Sequence, residues 1–441
     1  MAKQQEVTRR VRICPGLTGE IDLPGDKSIS HRAIIFNSFA HQGEAQISNF
    51  SPGQDCASTV RCLRALGTKI TREIKQDAIS LVISGNEANF QEASDVLNAG
   101  NSGTTMRLLS GLLASQPFLS IITGDASLRS RPMKRLVEPL RAMGADIQGR
   151  QENSFAPLAI RGGNLKGIEY ALPIPSAQIK TAILLAGLFA HGKTAVYEEI
   201  PSRDHTERML KQMGVQLRQE DNWIYLNPPT SPPHPLSIHI PGDISSAAYF
   251  LVAGAIHPRS RITLRNCGIN PTRTGILDVL TAMGAMMQIK NKRTEAGEPV
   301  ADITIESSEL KGIEIAGEII PRLIDEIPVL AVAGCVAKGK TVIRGAGELR
   351  VKESDRITTV SRELSRMGAR IEELPDGMII YGGTSLYGAE VSSHFDHRLA
   401  MSLAIAGLIA RGETIVNHAQ ATRISYPSFW DNLEKLTLDV N

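Results

Sequence analysis

Aromatic residues are scarce in this chain: ten Phe, seven Tyr and two Trp, 4% of 441 residues. The core must be aliphatic, and stacking platforms for single-stranded nucleic acid are not expected. Neither sign of charge is in excess. Lys and Arg number 48 against 46 Asp and Glu, a formal charge of +2. That balance excludes a general polyanion-binding surface and leaves room for local basic clusters. Cysteine is sparse and odd in number: Cys14, Cys56, Cys62, Cys267 and Cys335, with no C-x-x-C pair. No His/Cys cluster has ligand spacing, so zinc is not expected. Free, mostly buried thiols in a reducing cytosol are the simplest reading. Long apolar runs are also missing. One of the most apolar stretches, LAMSLAIAGLIA at 399–410, is shorter than the ~20 residues that span a bilayer. The opening MAKQQEVTRRVRICPG contains no apolar leader, so a secretory signal is not expected.

What the chain has is length. A single core stops growing at about 250–300 residues, so 441 residues imply two domains or one strongly repetitive architecture. A repeat is visible. The phrase L-x-x-apolar-G occurs as LRALG at 63–67, LRAMG at 140–144, LKQMG at 210–214, LTAMG at 280–284 and LSRMG at 364–368, with a degenerate LEKL at 433–436. The leucines lie 77, 70, 70, 84 and 69 residues apart. Six units of that size fill the chain. A second phrase keeps the same rhythm, an apolar small-residue helix, a polar turn and a β-branched run. Helices of the first set are amphipathic, and their glycine reads as the left-handed residue that ends a helix. Helices of the second set are apolar nearly all round and must be buried. The fold class is α/β, with three units per domain and a boundary near residue 240.

The chemically informative residues cluster just before the buried helices: GDKSISHR at 25–32, NAGNSGTTMR at 98–107, PSAQIK at 175–180, GDISS at 242–246, IDE at 324–326 and FDHR at 395–398. Ser, Asp, Asn and Gly there are ordinary caps. Lys and Arg are not, because the positive end of the helix dipole disfavours cations. Six such starts laced with cations imply anionic ligands, phosphate above all. The amphipathic helices add RSRPMKR at 129–135, RDHTER at 203–208 and RVKESDR at 350–356. Two matches to the P-loop pattern, at 187–194 and 334–341, close a helix and lead into a strand. A P-loop does the reverse, so nucleotide hydrolysis is not expected. No G-x-S-x-G elbow is present either.

Nine segments in order along the chain carry a resemblance: PGDKSISHR, NAGNSGTTMRLLSG, SRPMKRL, PSAQIKTAILLAG, SRDHTERML, PGDISSAA, LIDEIPVLAVA, LRVKESDR and FDHRLAM. They closely resemble the 5-enolpyruvylshikimate-3-phosphate synthase (3-phosphoshikimate 1-carboxyvinyltransferase) family. GDKS and RDHTE look like its second sequence class. The resemblance implies a two-domain inside-out α/β barrel of six βαβαββ repeats, three per domain. Residues 1–22 plus 243–441 would form a discontinuous domain and 23–242 an inserted one, with the active site in the cleft between. It implies transfer of the enolpyruvyl group of phosphoenolpyruvate to the 5-hydroxyl of shikimate 3-phosphate, releasing phosphate, with no metal and no organic cofactor. A cytoplasmic monomer is expected, with no nucleic-acid or membrane partner.

Residue by residue, the resemblance makes Lys27 a contact to both substrates. It assigns Ser28, Arg32, Arg203 and Lys352 to shikimate 3-phosphate. Gly103, Arg131, Arg356 and Arg398 go to phosphoenolpyruvate. Ser176, Ala177 and Gln178 match the phosphate-binding triplet, Gln178 reaching both substrates. Ala177 replaces a frequent second serine and offers only its backbone amide. Asp325 resembles the base on the 5-hydroxyl, with Lys352 its partner, and Glu353 the residue that handles the methylene proton. Asp26 replaces the first class's serine. Arg423 stands, offset by one, near the place of a C-terminal lysine. Gly103 is retained where herbicide-tolerant members carry alanine, which implies that glyphosate can enter. The sister transferase acting on UDP-N-acetylglucosamine usually has a reactive cysteine before the R-P that matches Arg131-Pro132, and residues 124–130 contain none. A non-catalytic anion-binding protein would have no need of carboxylates at both 324–326 and 352–356.

Overall fold

The computed structural model describes residues 7–75 and 78–438. Among these, twelve helices have eight residues or more. In chain order they are α1 (Lys27–Ser38), α2 (Gln54–Ala65), α3 (Gly103–Leu113), α4 (Lys134–Ala142), α5 (Ala177–Gly187), α6 (His205–Gln212), α7 (Ile244–Ile256), α8 (Gly275–Ala282), α9 (Ile327–Val336), α10 (Arg356–Arg366), α11 (His397–Gly407) and α12 (Phe429–Leu438). The odd-numbered helices are buried nearly throughout. Even-numbered helices bury one side only, as their amphipathic sequences require. The two repeat phrases therefore fold into two helix types in strict alternation.

Local chemistry sets both ends. Side chains cap five of the six buried helices: Asp26, Ser102, Ser176, Asp243 and Asp396 each accept a first-turn backbone N–H. At the start of α9, Glu326 makes no such bond and Pro328 lies in the first turn. The phrase glycines Gly67, Gly144, Gly214, Gly284 and Gly368 follow α2, α4, α6, α8 and α10 with φ between +86° and +109°, where a side chain is strained. LEKL falls inside α12. Both P-loop look-alikes are helix-to-strand turns, into the strands Thr194–Tyr197 and Lys340–Ile343.

One four-stranded sheet shows the plan. Leu97–Asn98 pairs in parallel with Leu119–Thr123 across α3, and the hairpin Asp146–Gly149 and Phe155–Arg161 completes it antiparallel. Five sheets share this order. The sheet that includes Glu44–Phe50 takes its parallel strand from Ile238–His239, far along the chain at the end of the inserted unit. The sixth has three strands, and Arg9–Arg12 closes it against Glu413–Asn417. Leu17–Asp22 likewise joins Ser260–Gly268 in parallel, so the repeat is offset from the chain ends and distant segments complete three sheets.

The chain divides into two compact units. One comprises Met1–Pro24, Pro241–Arg293 and Pro299–Asn441; the other comprises Gly25–Ile240 with Thr294–Glu298. The short piece 294–298 goes with the inserted unit because His205 Nδ1 meets Glu298 Oε1 at 2.7 Å and Arg208 donates to the Gly297 carbonyl. The discontinuous unit is therefore interrupted at 294–298, where an unbroken 243–441 is expected from sequence. Each unit has its own mostly aliphatic core, and Tyr249, Phe250, Tyr426, Phe429 and Trp430 cluster in that of the discontinuous unit. In the inserted unit α3 and α5 touch backbone to backbone, since a Cβ on Gly111 would lie 2.4 Å from the Ala182 carbonyl. All five cysteines are free, and burial pushes the Cys62 thiol up to about 11.

Gly284 (φ +96°) has no atom closer than 3.5 Å to a built Cβ. Gly284→Ala should therefore lower unfolding stability through backbone strain alone, by about 1–2 kcal/mol. The urea midpoint measures it, and an unchanged midpoint would count against the left-handed cap.

Candidate active site

In the inserted unit, side chains tie the starts of α1, α3 and α5 to one another. Arg32, 2% exposed, reaches across α1. Its Nη1 donates to the Ser28 carbonyl at 2.9 Å, its Nε to Thr206 Oγ1 and its Nη2 to Thr181 Oγ1, both at 2.8 Å. Gln178, in the first turn of α5, donates to Thr104 Oγ1 at 2.8 Å and accepts from Arg107 Nη1 at 2.7 Å. His31 and Thr59, then Thr59 and Thr105, are each 2.7 Å apart and join α1, α2 and α3. Cations gather at these starts. Lys27 Nζ lies 3.0 Å from Asp55 Oδ2. Arg203 Nη1 donates to Ser28 Oγ at 3.4 Å, and Arg131 Nη2 to Asn101 Oδ1 at 2.6 Å. A Cβ on Gly103 would lie 2.8 Å from Arg107 Nη1 and 3.5 Å from Arg131 Nη1, so glycine there keeps space beside two guanidinium groups. Ser176 uses its hydroxyl to cap α5. Lys27, Ser28, Arg32, Gly103, Arg131, Ser176, Ala177, Gln178 and Arg203 are thus at or beside three linked helix starts of one unit.

The other unit gathers carboxylates. Arg356, 1% exposed, opens α10. Its Nε donates to Asp396 Oδ2 at 2.8 Å, its Nη2 to Glu353 Oε2 at 2.6 Å, and its Nη1 to Asp325 Oδ1 at 3.4 Å. Lys352 Nζ lies 3.8 Å from the same Asp325 oxygen. Arg398 Nη1 is 3.8 Å from Glu326 Oε1, which also accepts from Ser245 Oγ. Burial opposes charge on Arg356, but Asp396, Glu353 and Asp325 prevail and raise its pKa. For Arg398, burial again lowers, and Tyr249, Asp325 and Glu326 more than offset it. Asp325, Lys352, Glu353, Arg356 and Arg398 therefore form a second set at the starts of α9, α10 and α11. Arg423 lies exposed on a short 3-10 turn.

Three members were not singled out from sequence. Asp396 does double duty, capping α11 and orienting Arg356. Asp55 holds Lys27, and Arg107 holds Gln178. The first had a local signal, an Asp directly before a buried helix. The other two act across tertiary contacts that no spacing reveals. Among the described residues no group of three or more His, Cys, Asp or Glu could hold a metal ion, and no helix is long and apolar enough to cross a membrane.

A family model described as EPSP synthase (3-phosphoshikimate 1-carboxyvinyltransferase) matches residues 11–433. A protein of Herpetosiphon aurantiacus named 3-phosphoshikimate 1-carboxyvinyltransferase is 55% identical over 422 residues, 95% of this chain and 97% of that one. A Bacillus cereus protein of the same name is 55% identical over 421 residues, 96% and 97% of the two chains. Among solved structures, EPSP synthase from Acinetobacter baumannii superposes with a TM-score of 0.84 at 43% identity, over 97% of this chain and 98% of that one. The enolpyruvyl transferase NikO from Streptomyces tendae superposes with a TM-score of 0.79 at 17% identity, over 98% and 97%. That likeness shows a shared fold.

The cation-rich starts leave a signature in acid. Burial, with Lys27 and Arg32 close by, holds His31 well below its usual 6.5. Folded His31 is neutral, whereas the unfolded imidazole takes a proton as pH falls through about 6.5. The unfolded state then binds more protons, and stability falls with pH by up to ~1.4 kcal/mol per unit until His31 itself titrates. His31→Asn should flatten the loss between about pH 6.5 and 5 in urea melts. An equal slope in variant and parent would refute the neutral buried imidazole.

Proposed function

This chain belongs to the EPSP synthase family, and on that premise we propose that it transfers the enolpyruvyl group of phosphoenolpyruvate to the 5-hydroxyl of shikimate 3-phosphate, releasing phosphate on the route to chorismate and the aromatic amino acids. The observation that carries the reading is the pairing of two sets at buried-helix starts, one rich in cations and hydroxyls, the other in carboxylates laced with cations. Two phosphates and two carboxylates enter the reaction, and helix starts with Lys and Arg suit such anions. Both sets serve one reaction.

The chemistry assigns the rest. The 5-hydroxyl oxygen bonds to the central carbon of phosphoenolpyruvate and gives up its proton. The methylene carbon gains a proton and later loses one, and the bond to the phosphate oxygen breaks. Asp325 accepts the hydroxyl proton, with Lys352 beside it to balance the charge. Glu353, held at 2.6 Å by Arg356, handles the methylene proton. Arg131, Arg356 and Arg398, with the backbone at Gly103, bind phosphoenolpyruvate. Ser28, Arg32, Ser176, Ala177 and Arg203 bind shikimate 3-phosphate, while Lys27 and Gln178 reach both. These roles call on no metal or organic cofactor. The reading extends to a cytoplasmic monomer. A complete core in each unit and five free thiols support it.

Purified protein should release phosphate from phosphoenolpyruvate with shikimate 3-phosphate as acceptor and not with UDP-N-acetylglucosamine. Asp325→Asn should lower kcat by about 100-fold or more, the scale of a lost general base, with substrate binding changed by less than about threefold. A loss confined to binding would show that Asp325 is an anchor.

Glyphosate should inhibit the parent enzyme. Gly103→Ala places a methyl 2.8 Å from Arg107 Nη1, so the variant should need at least about tenfold more glyphosate for half inhibition, about 1.4 kcal/mol. Equal inhibition of both would show that Gly103 does not border the inhibitor.

A further inference from the structure

Lys180 is 1% exposed and follows the phosphate-binding triplet within the first turn of α5. Its Nζ lies 2.7 Å from Glu198 Oε2 and 2.7 Å from Glu207 Oε1. A buried ion cluster of this kind is weak evidence of stability, since apolar residues of the same volume hold helices together as well. What it supplies is fixed geometry. The other Glu198 oxygen accepts from the Ser202 hydroxyl and, at 3.3 Å, from the Ser202 backbone N–H. The next residue is Arg203. One carboxylate therefore fastens the turn that presents Arg203 to the helix that presents Ser176, Ala177 and Gln178.

A second clasp runs beside the first. Thr181 and Thr206, each adjacent in sequence to a member of the ion cluster, have their hydroxyls 2.6 Å apart and both accept from Arg32. The α5 and α6 starts are thus joined by charge and by hydroxyls. Glu207 also offsets the charge of buried Arg32.

We infer that Lys180 and Glu198 are positioning residues for the shikimate 3-phosphate subsite, holding Arg203 in register with the triplet at 176–178. The assignment rests on the functional reading above. It gives the cluster a directional consequence that a purely structural role lacks, because binding of one substrate should suffer and binding of the other should not.

The test compares parent protein with Lys180→Met, Glu198→Gln and Ser202→Ala. Ser202→Ala leaves the buried ion pairs intact and guards against loss of folding in the other two. Two measurements are made on each folded protein. Hydrogen exchange of the amides at 198–204 needs no substrate, and all three variants should exchange faster there than the parent. Steady-state kinetics should show KM for shikimate 3-phosphate raised by about tenfold in the first two and about threefold in Ser202→Ala, with kcat and KM for phosphoenolpyruvate changed less than about twofold. Unchanged exchange at 198–204 overturns the clasp. An equal rise in both KM values, or none, overturns the positioning role. A parent protein without phosphate release from this substrate pair would sink the functional reading instead, while the exchange result still decides whether the clasp exists.

Discussion

A buried helix must leave its first turn somewhere that its unpaired N–H groups and positive dipole end are satisfied. Six helices of this chain are apolar enough to be buried almost completely, and that constraint organises the rest. Capping side chains meet part of the need at five of the six starts. The starts also carry Lys27, Arg32, Arg398 and, on neighbouring segments, Arg131, Arg203 and Arg356, which add positive charge where the dipole already supplies it. A fold selected for stability alone would place those cations at helix ends. Protein carboxylates answer part of that charge, Asp55 at Lys27 and Asp396, Glu353 and Asp325 at Arg356, and helix starts so charged suit small anionic ligands.

Packing turns this local demand into a site. The approach of α3 and α5 at Gly111, with no room for a Cβ, holds their starts close enough for Gln178 to bond Thr104. Arg32 links α1, α5 and α6. The aliphatic core and the polar site are therefore two ends of the same helices, and the scarcity of aromatic residues fits a core built from close helix contact.

How much of this could be read from sequence depends on range. Caps and left-handed glycines are settled within a few residues, so Asp26, Ser176 and Gly368 announce themselves. The six-unit plan follows from periodicity. Nothing local says that Arg9–Arg12 closes the last sheet against a strand some four hundred residues on, or that the first sheet borrows Ile238–His239. Site residues divide in the same way. Those in motifs were legible by resemblance, whereas Asp55 behind Lys27 and the Lys180 cluster depend on contacts between elements. Asp396 was legible as a cap and not as the partner of Arg356, forty residues away.

The two buried arginines show how the sets differ. Every hydrogen bond of Arg32 goes to a neutral oxygen, from Ser28, Ala177, Thr181 or Thr206, and burial pushes its pKa down to about 10. Arg356 is held by three carboxylates and its pKa is raised. A buried cation hydrogen-bonded only to neutral acceptors gains from an arriving anion, which adds to the partial offset that Glu207 provides. A cation already neutralised gains less, and its carboxylates are held in fixed places where they can take and return protons. On the proposed function, the inserted unit contributes cations to the anionic substrates, and the other contributes both Arg356 and Arg398 for phosphoenolpyruvate and the carboxylates that do the proton chemistry. An enolpyruvyl transfer, with two acidic phosphorylated substrates and protons to move at two atoms, needs both.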